Sequence, residues 1–377
     1  MKRFLIALTL FSLLILASSA MSAIEVKYEG WEMTLEGRVS EEYTDNINFA
    51  GKNEDKVEKF MTNLSLSFDA RYTGKRRTYD VRADLSRSFD DDNLDSLRAS
   101  ENIYLGFSHR FSEYSIISLS DSFHHSKYPV EWEEQFGRFR TDYETYNNRF
   151  GVDYARDLSE HLRIRVGYSN NLYWAEGFEG DSVENGVNLG LSYIYSAATS
   201  GSLSYNYSTR RYKDDGTADI NSFSVGLKKY ITKRLSLDGN VGLSFISPPE
   251  GNDSTTTTYG LNLTDEIDEK TLARLSFRRG ANTTYEGDVF TSWQVSANLD
   301  RDLMEDLKGT VSCFYGEGEY TSDGTKDTFI GASGRVNYIF GKHLTGNLGY
   351  TYSNLDSTAE DREYTVNSIS GGVTLTF

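Results

Sequence analysis

Hydrophobic and polar residues alternate along most of this chain, in segments of about ten residues separated by turns. The segment that begins at Trp31 reads Trp-Glu-Met-Thr-Leu-Glu-Gly-Arg-Val-Ser, so nearly every second residue is apolar. A period of two residues is typical of a β-strand with one apolar and one polar face. The unit recurs as far as Phe377, and we count about eighteen predicted strands. The strand around Ile117 and Leu119 has the weakest pattern.

The links between the predicted strands are alternately short and long. The link at 73–75 is short, the link at 44–56 is long, and the longest link spans residues 124–146. Alternation of short turns with longer loops is typical of bacterial outer-membrane barrels, which have an even number of strands. The sequence therefore predicts an all-β fold, a transmembrane antiparallel up-and-down β-barrel of about 18 strands. Because the strands begin at Trp31, we expect no plug domain.

A soluble periplasmic β-sandwich would also show alternating residues, but it would need two or three domains with linkers, and the composition shows no such break. The last six residues read Gly-Val-Thr-Leu-Thr-Phe. This ending, with Phe377 at its terminus, resembles the membrane-insertion signal of outer-membrane barrels. The resemblance implies recognition by the barrel-assembly machinery, with both termini in the periplasm.

The N-terminus has the pattern of a secretory signal peptide. Lys2 and Arg3 precede an apolar run over 4–17, and small residues follow up to Ala23. This order is typical of a cleaved leader, whereas a membrane anchor helix would need a longer apolar run. We therefore predict a signal peptide over 1–23 and a barrel over 24–377, located in the outer membrane of a Gram-negative cell. The mean hydropathy of −0.52 suits a barrel, because only alternate residues of its strands face lipid.

The charge and the composition argue against several other functions. The formal net charge is −17, with 39 basic and 56 acidic residues, which disfavours binding to nucleic acid. His124 and His125 are adjacent, a weak metal signal, and neighbours in a strand alternate faces, so Asp121, Ser122 and His124 cannot converge as a catalytic set. We expect no enzyme activity, no cofactor and no metal. The single cysteine, Cys313, shares the parity of the apolar face.

Acidic residues cluster in the predicted long links, at 90–95, 131–144, 176–184 and 356–363. One interpretation is a solvated rim that keeps the outer surface hydrophilic. The other is that the acids bind divalent cations that bridge to lipopolysaccharide phosphates, because hard cations prefer carboxylate oxygens. Membrane lipid and lipopolysaccharide are the expected surroundings in both cases.

The polar face of the predicted strands carries many charges, and basic residues exceed acidic ones on it. The basic residues are Arg38, Arg71, Arg82, Arg149, Arg163, Arg165, Arg210, Lys228, Arg274, Arg278 and Arg335, and the acidic residues are Glu36, Asp69, Asp80, Asp84, Asp153 and Asp238. A water-filled lumen tolerates such a wall and a packed core does not. The basic excess favours passage of anionic solutes or sugars. Alternatively, the charges pair across neighbouring strands and only stabilise the wall.

The longest link contains five aromatic residues between 128 and 143. In position and length it resembles the third loop of general porins, which folds into the lumen and narrows it. Its acids Glu131, Glu133 and Glu134 would then face the arginines of the following strands. The predicted lumen and constriction set is Arg71, Arg82, Arg149, Arg163, Arg165, Glu131, Glu133 and Glu134.

The exit of the first strand reads Glu-Glu-Tyr-Thr-Asp-Asn over 41–46. This sequence resembles the opening motif of outer-membrane β-barrel porins that are associated with exopolysaccharide and exosortase systems, and its matching residues are Tyr43, Asp45 and Asn46. The resemblance implies a pore for sugar or polymer export, with a periplasmic polysaccharide-export protein as a partner. We predict a passive channel. The alternative is a structural or adhesive barrel with a closed lumen and functional surface loops.

Overall fold

The structure is a computed structural model that describes residues 30–51, 55–90, 98–127, 144–176, 181–213, 216–284, 287–359 and 362–377, together with the backbone of 130–132 and 138–140. The predicted signal peptide lies outside the described residues. Among the described residues, no helix is long and apolar enough to cross a membrane. The strands are β1 (Trp31–Thr44), β2 (Lys59–Thr73), β3 (Arg77–Phe89), β4 (Arg98–Ser112), β5 (Ser115–Lys127), β6 (Val130–Trp132), β7 (Arg138–Arg140), β8 (Glu144–Asp157), β9 (Leu162–Ala175), β10 (Ser182–Ser196), β11 (Thr199–Tyr212), β12 (Thr217–Tyr230), β13 (Leu235–Ser247), β14 (Ser254–Asp268), β15 (Thr271–Thr283), β16 (Val289–Asp302), β17 (Leu307–Tyr320), β18 (Lys326–Ile339), β19 (Leu344–Ser357) and β20 (Tyr364–Thr376).

Eighteen of these strands form one closed antiparallel barrel, which confirms the predicted fold and strand count. Each barrel strand pairs with the next one along the chain, and β20 pairs back with β1 to close the cylinder. β6 and β7 form a separate two-stranded sheet within the link from β5 to β8. The described residues form no separate plug domain.

The seam between the two terminal strands is shorter than the other ladders. β1 pairs with β20 only over Glu36–Thr44, whereas it pairs with β2 along its whole length. Backbone hydrogen bonds extend the seam by one residue at each end, between Leu35 and Phe377 and from the Asp45 N–H to the Asn367 oxygen at 3.1 Å.

The links alternate as the sequence predicts, with short turns at one end of the barrel and long links at the other. The boundaries of the longest link differ from the prediction, because β5 continues to Lys127 and β8 begins at Glu144, so the link spans 128–143. The predicted weak strand at Ile117 is the full-length strand β5. Its outer half contains Asp121, serines and two histidines, which conceal the period-two pattern.

The outer face of the barrel is an apolar belt. Val311 and Leu348 are 59% and 61% exposed, which is the arrangement expected where lipid, not protein, covers the side chains. Cys313 lies on this face between Ala297 and Ala332 in the ladders. Paired aromatic residues mark both edges of the belt, as at the membrane interfaces of other barrels. Examples are Trp31 with Tyr72 near the short turns (5.5 Å) and Tyr146 with Trp174 near the long links (5.1 Å).

The outer face becomes polar towards the long links. Glu101 on β4 contacts both Arg87 and His125 there. Asp121 lies lower on the same face, level with the exposed Leu105 and Phe150, and it accepts a hydrogen bond from Asn148 at 3.1 Å.

Candidate channel lumen

One contact identifies the inner face of the wall. The Arg210 guanidinium on β11 donates to the Thr283 carbonyl at the end of β15, at 2.9 Å. Three strands, β12 to β14, lie between these two positions along the wall, so the contact can form only across the concave side. The register then assigns the same face to Glu184 on β10 and to Arg149 on β8. This is the polar face of the strands, and the barrel therefore has a polar lumen.

The register places all five predicted lumen arginines on this inner face, where three of them form ion pairs with neighbouring strands or turns. Arg71 pairs with Asp80 at 2.5 Å, Arg82 with Asp69 at 3.2 Å and Arg163 with Asp157 at 2.5 Å. Arg149 and Arg165 form no ion pair among the described residues. Pairing across the wall therefore applies to three of these arginines, and the passage of anionic solutes past the other two stays a prediction.

The predicted constriction by the longest link stays a prediction. Glu133 and Glu134 lie outside the described residues, and Glu131 is described only as part of the β6 backbone. His124 faces inward and His125 outward, so the alternation expected for this segment is present.

The inner face carries more acids than the sequence pattern predicts. Glu184, which we had grouped with the acids of a long link, lies in β10 and pairs with Arg210 at 2.6 Å. Asp300 on β16 also faces inward and pairs with Arg274 at 2.7 Å. The strands extend into the predicted links because polar side chains at strand ends face the lumen and therefore resemble loop residues. The basic excess on the inner wall is smaller than predicted.

A hairpin bends into the lumen at the long-link end, a feature that the sequence pattern does not show. The end of β15 and the described link residues 284, 287 and 288 leave the wall and reach β11. Arg210 holds this segment through Thr283, and the Tyr212 hydroxyl donates to the Thr284 carbonyl at 2.7 Å. Val289 and Ala281 at the two ends of this segment pack with Ile246 of β13, and Val289 and Ile246 are both 1% exposed. We call the described residues 281–284 and 287–289 the inward hairpin.

The link between β1 and β2 is also tied to the wall, by the motif residues found in the sequence. Asn46 is fully buried, and its amide donates to the carbonyls of Ala50 and Thr365 at 2.9 and 3.0 Å. Asp45 accepts hydrogen bonds from the backbone and the side chain of Asn367, both at 2.7 Å. In this structure, two of the three motif residues therefore attach the link to β20 beside the seam. The Tyr43 hydroxyl donates to Glu58 at 3.0 Å.

An apolar cluster lines the lumen wall beside this link. Its members come from β16 to β20 and are Phe290, Tyr320, Phe329, Leu355, Tyr364 and Val366. Phe49 of the β1–β2 link packs against the cluster, with its ring edge-on to Tyr364 at 5.0 Å. The long-link end of the lumen is thus narrowed on two sides, by the inward hairpin and by the β1–β2 link.

Below the inward hairpin, hydroxyl and amide side chains cover the inner wall. Asn206, Ser222, Asn240 and Thr258, from four consecutive strands, line a cavity of about 570 Å³ that opens to the lumen, and the Glu184–Arg210 ion pair also lines it. The side chains hydrogen-bond along the row, as Ser222 does with Ser244 at 2.7 Å. Hydroxyl and amide groups both donate and accept hydrogen bonds, so this part of the wall can exchange bonds with any polar solute.

The turn at 321–325 carries a carboxyl with a shifted pKa outside the membrane-spanning strands. Asp323 accepts hydrogen bonds from the Thr325 backbone N–H at 2.8 Å and from its hydroxyl at 2.7 Å. These bonds favour the charged form and lower the pKa of Asp323 below its usual value.

A closed barrel of eighteen strands with an apolar exterior and a polar lumen defines an outer-membrane channel of the porin type. Residues 268–377, from the end of β14 to the C-terminus, match the family model described as "Putative beta-barrel porin 2". This match confirms the predicted resemblance to β-barrel porins. It does not include the motif at 41–46, and the association with exopolysaccharide stays a prediction. The absence of enzyme activity likewise stays a prediction.

Solved structures with the same fold are also porins. A BenF-like porin from Pseudomonas fluorescens Pf-5 is 14% identical, with 93% of this chain and 99% of that chain covered and a TM-score of 0.55. OccK2 (OpdF) from Pseudomonas aeruginosa is 12% identical, with 93% and 98% covered and a TM-score of 0.53. Identities this low establish the fold alone. No curated protein sequence matches the chain.

Proposed function

We propose that this barrel is a passive channel for hydrophilic solutes and that saccharides are among them. The observation that carries the proposal is the row of hydroxyl and amide groups on β11 to β14 below the inward hairpin, which line the 570 Å³ cavity together with the Glu184–Arg210 ion pair. Neutral groups that donate and accept hydrogen bonds can replace the hydration of a sugar without trapping it by charge.

Export of an exopolysaccharide is the form of this function that we favour. It rests on the resemblance of the motif at 41–46 to porins of exopolysaccharide systems. In this proposal the short turns and both termini face the periplasm, where a polysaccharide-export protein would deliver the polymer. Deletion of the gene should then abolish extracellular polymer, whereas a nutrient porin would leave polymer production unchanged.

Conductance tests the channel itself. The purified protein in a planar bilayer should show stable single-channel steps, and vesicles containing it should swell in neutral oligosaccharide. Ser222→Trp places a large ring in the cavity, and we expect it to reduce oligosaccharide entry more than ion conductance. Ser118→Trp is the matched control, because Ser118 also faces inward but lies on β5. Equal effects of the two substitutions would count against a saccharide path along β11 to β14.

The second candidate, a structural or adhesive barrel, is favoured by the inward hairpin and the β1–β2 link. Both narrow the lumen at the long-link end, and a lumen closed there would carry no current. Absence of conductance in a correctly folded, heat-modifiable protein would support this candidate over a channel.

A further inference from the structure

Two arginines on the inner wall lie close together without a carboxylate between them. Arg38 on β1 extends across β20 and donates from Nη2 to the Asn347 side-chain oxygen on β19 at 3.1 Å. Its Nε is buried and has no hydrogen-bond partner among the described residues. A buried donor left without a partner is unfavourable, so this position is incomplete without a further acceptor.

Arg335 on β18 provides the second positive charge. Its Nε lies over Gly349 on β19, two residues along the strand from the Asn347 that Arg38 contacts, so the two positive charges are near each other. Arg335 forms no ion pair or hydrogen bond among the described residues. It lines a lumen cavity of about 420 Å³ together with Ser312, Ser333 and Thr351. Gly349 opposite Arg335, and Gly372 on β20 opposite Asn347, leave the wall without side chains there.

Four other inward arginines have carboxylate partners, whereas Arg149 and Arg165 have no ion pair among the described residues and lie on other strands, β8 and β9. Arg71, Arg82, Arg163 and Arg274 each have a carboxylate within 3.2 Å. Glu36 lies on the same face of β1, two residues before Arg38, but it accepts a hydrogen bond from the Thr376 hydroxyl at 3.2 Å. Among the described residues, no carboxylate forms an ion pair with either arginine.

We propose that Arg38 and Arg335 form an anion-binding site in the lumen that takes a carboxylate or a similar oxyanion. Guanidinium groups bind such oxygens through two parallel hydrogen bonds, and an anion between the two arginines removes their repulsion and gives Arg38 Nε an acceptor. The inference rests on the proposed channel function, and it adds acidic sugars to the permeating solutes. The anion is either free or the acidic group of a saccharide, because both present the same oxygens.

The experiment measures block of single-channel current by sodium galacturonate oligomers, by sodium acetate and phosphate, and by a neutral oligosaccharide of equal length. We expect saturable block by anions. Arg38→Gln and Arg335→Gln should each weaken the apparent affinity about tenfold or more, the loss of one charge-assisted hydrogen bond. Arg165→Gln is the control, because Arg165 also faces inward without an ion pair among the described residues but lies on β9.

The measurements distinguish a site for free anions from a site for acidic saccharides, and failure of the site from failure of the channel. Saturable block by acetate and phosphate identifies a site for free anions, and block by the acidic oligomers alone identifies a site for acidic saccharides. Equal effects of all three substitutions, or block that never saturates, would refute the proposed anion site. Block would then reflect only the overall electrostatic potential of the lumen. If the wild-type protein does not conduct, the channel proposal fails, and calorimetry of the same anions with the detergent-solubilised barrel and its variants still decides the site.

Discussion

The inward hairpin depends on Arg210, and Arg210→Met tests that dependence. Methionine keeps an unbranched stem of similar length but removes every hydrogen bond that the guanidinium makes. Arg210 donates to Glu184 through Nε and Nη2, at 3.0 and 2.6 Å, and to the Thr283 carbonyl at 2.9 Å. The substitution therefore loosens the hairpin, which the Tyr212 hydroxyl still contacts at the Thr284 carbonyl, and leaves Glu184 without its cation.

The structure sets the size of the expected loss. A hydrogen bond to a charged group contributes about 1.5–3 kcal/mol, and removal of one partner of a fully buried pair costs about 3–5 kcal/mol. The Arg210 and Glu184 side chains are 17% and 28% exposed, so lumen water screens part of the interaction. We expect a decrease of about 3 kcal/mol in the free energy of unfolding, or about two orders of magnitude in the folded-to-unfolded ratio.

Urea unfolding of the protein in lipid vesicles, followed by tryptophan fluorescence, measures the change. Arg165→Met is the control, since it removes an inward arginine that has no ion pair among the described residues. Adding Glu184→Gln to Arg210→Met should recover part of the loss, because the unpaired charge is then gone. Single-channel current of Arg210→Met should also be larger or noisier. The reasoning is refuted if Arg210→Met and Arg165→Met have equal stability and equal current.

Four further predictions follow from other parts of the molecule. Leu348→Arg should cost about 2–4 kcal/mol in urea unfolding, as a charge on the lipid side does, and a loss no larger than that of Leu348→Ala would contradict a lipid-facing position. Asn46→Ala should cost about 1–3 kcal/mol and expose the β1–β2 link to limited proteolysis, and a link that stays uncut would argue against its attachment. Cys313 should react with a membrane-soluble maleimide and not with an impermeant one, and equal labelling would remove it from the lipid face. The hydrogen bonds to the Asp323 carboxylate stabilise its turn above the unfolded pKa and are lost as pH falls through the lowered folded pKa. An NMR titration should give a midpoint for Asp323 below the usual range of aspartate, and this titration should be absent in Asp323→Asn.

The strand pattern was predictable because it is local. A strand of 13 to 15 residues repeats its two faces several times, so a single irregular residue such as Gly37 in β1 does not hide the period. The face of Arg71, Arg149 and Cys313 follows from the same parity. Since parity needs no knowledge of partners, the sequence alone was sufficient for these assignments.

Pairings between distant residues were not predictable. Glu184 and Arg210 are 26 positions apart, and either could belong to a rim or to a wall until the register is known. The inward hairpin depends on contacts between β11 and β15, which no local period encodes. The missing counter-charge at Arg38 and Arg335 is likewise visible only once β1 and β18 are brought to the same side of the lumen.

The seam has a consequence for biogenesis. It joins strands that lie at opposite ends of the described chain, so it cannot form until translation and translocation have delivered both. Until then β1 and β20 each present an open hydrogen-bonding edge, which is a template for pairing with foreign strands. The hydrogen bonds between Asp45 and Asn367 are therefore among the last to form. A protein arrested before the seam closes should be the species that aggregates or is degraded.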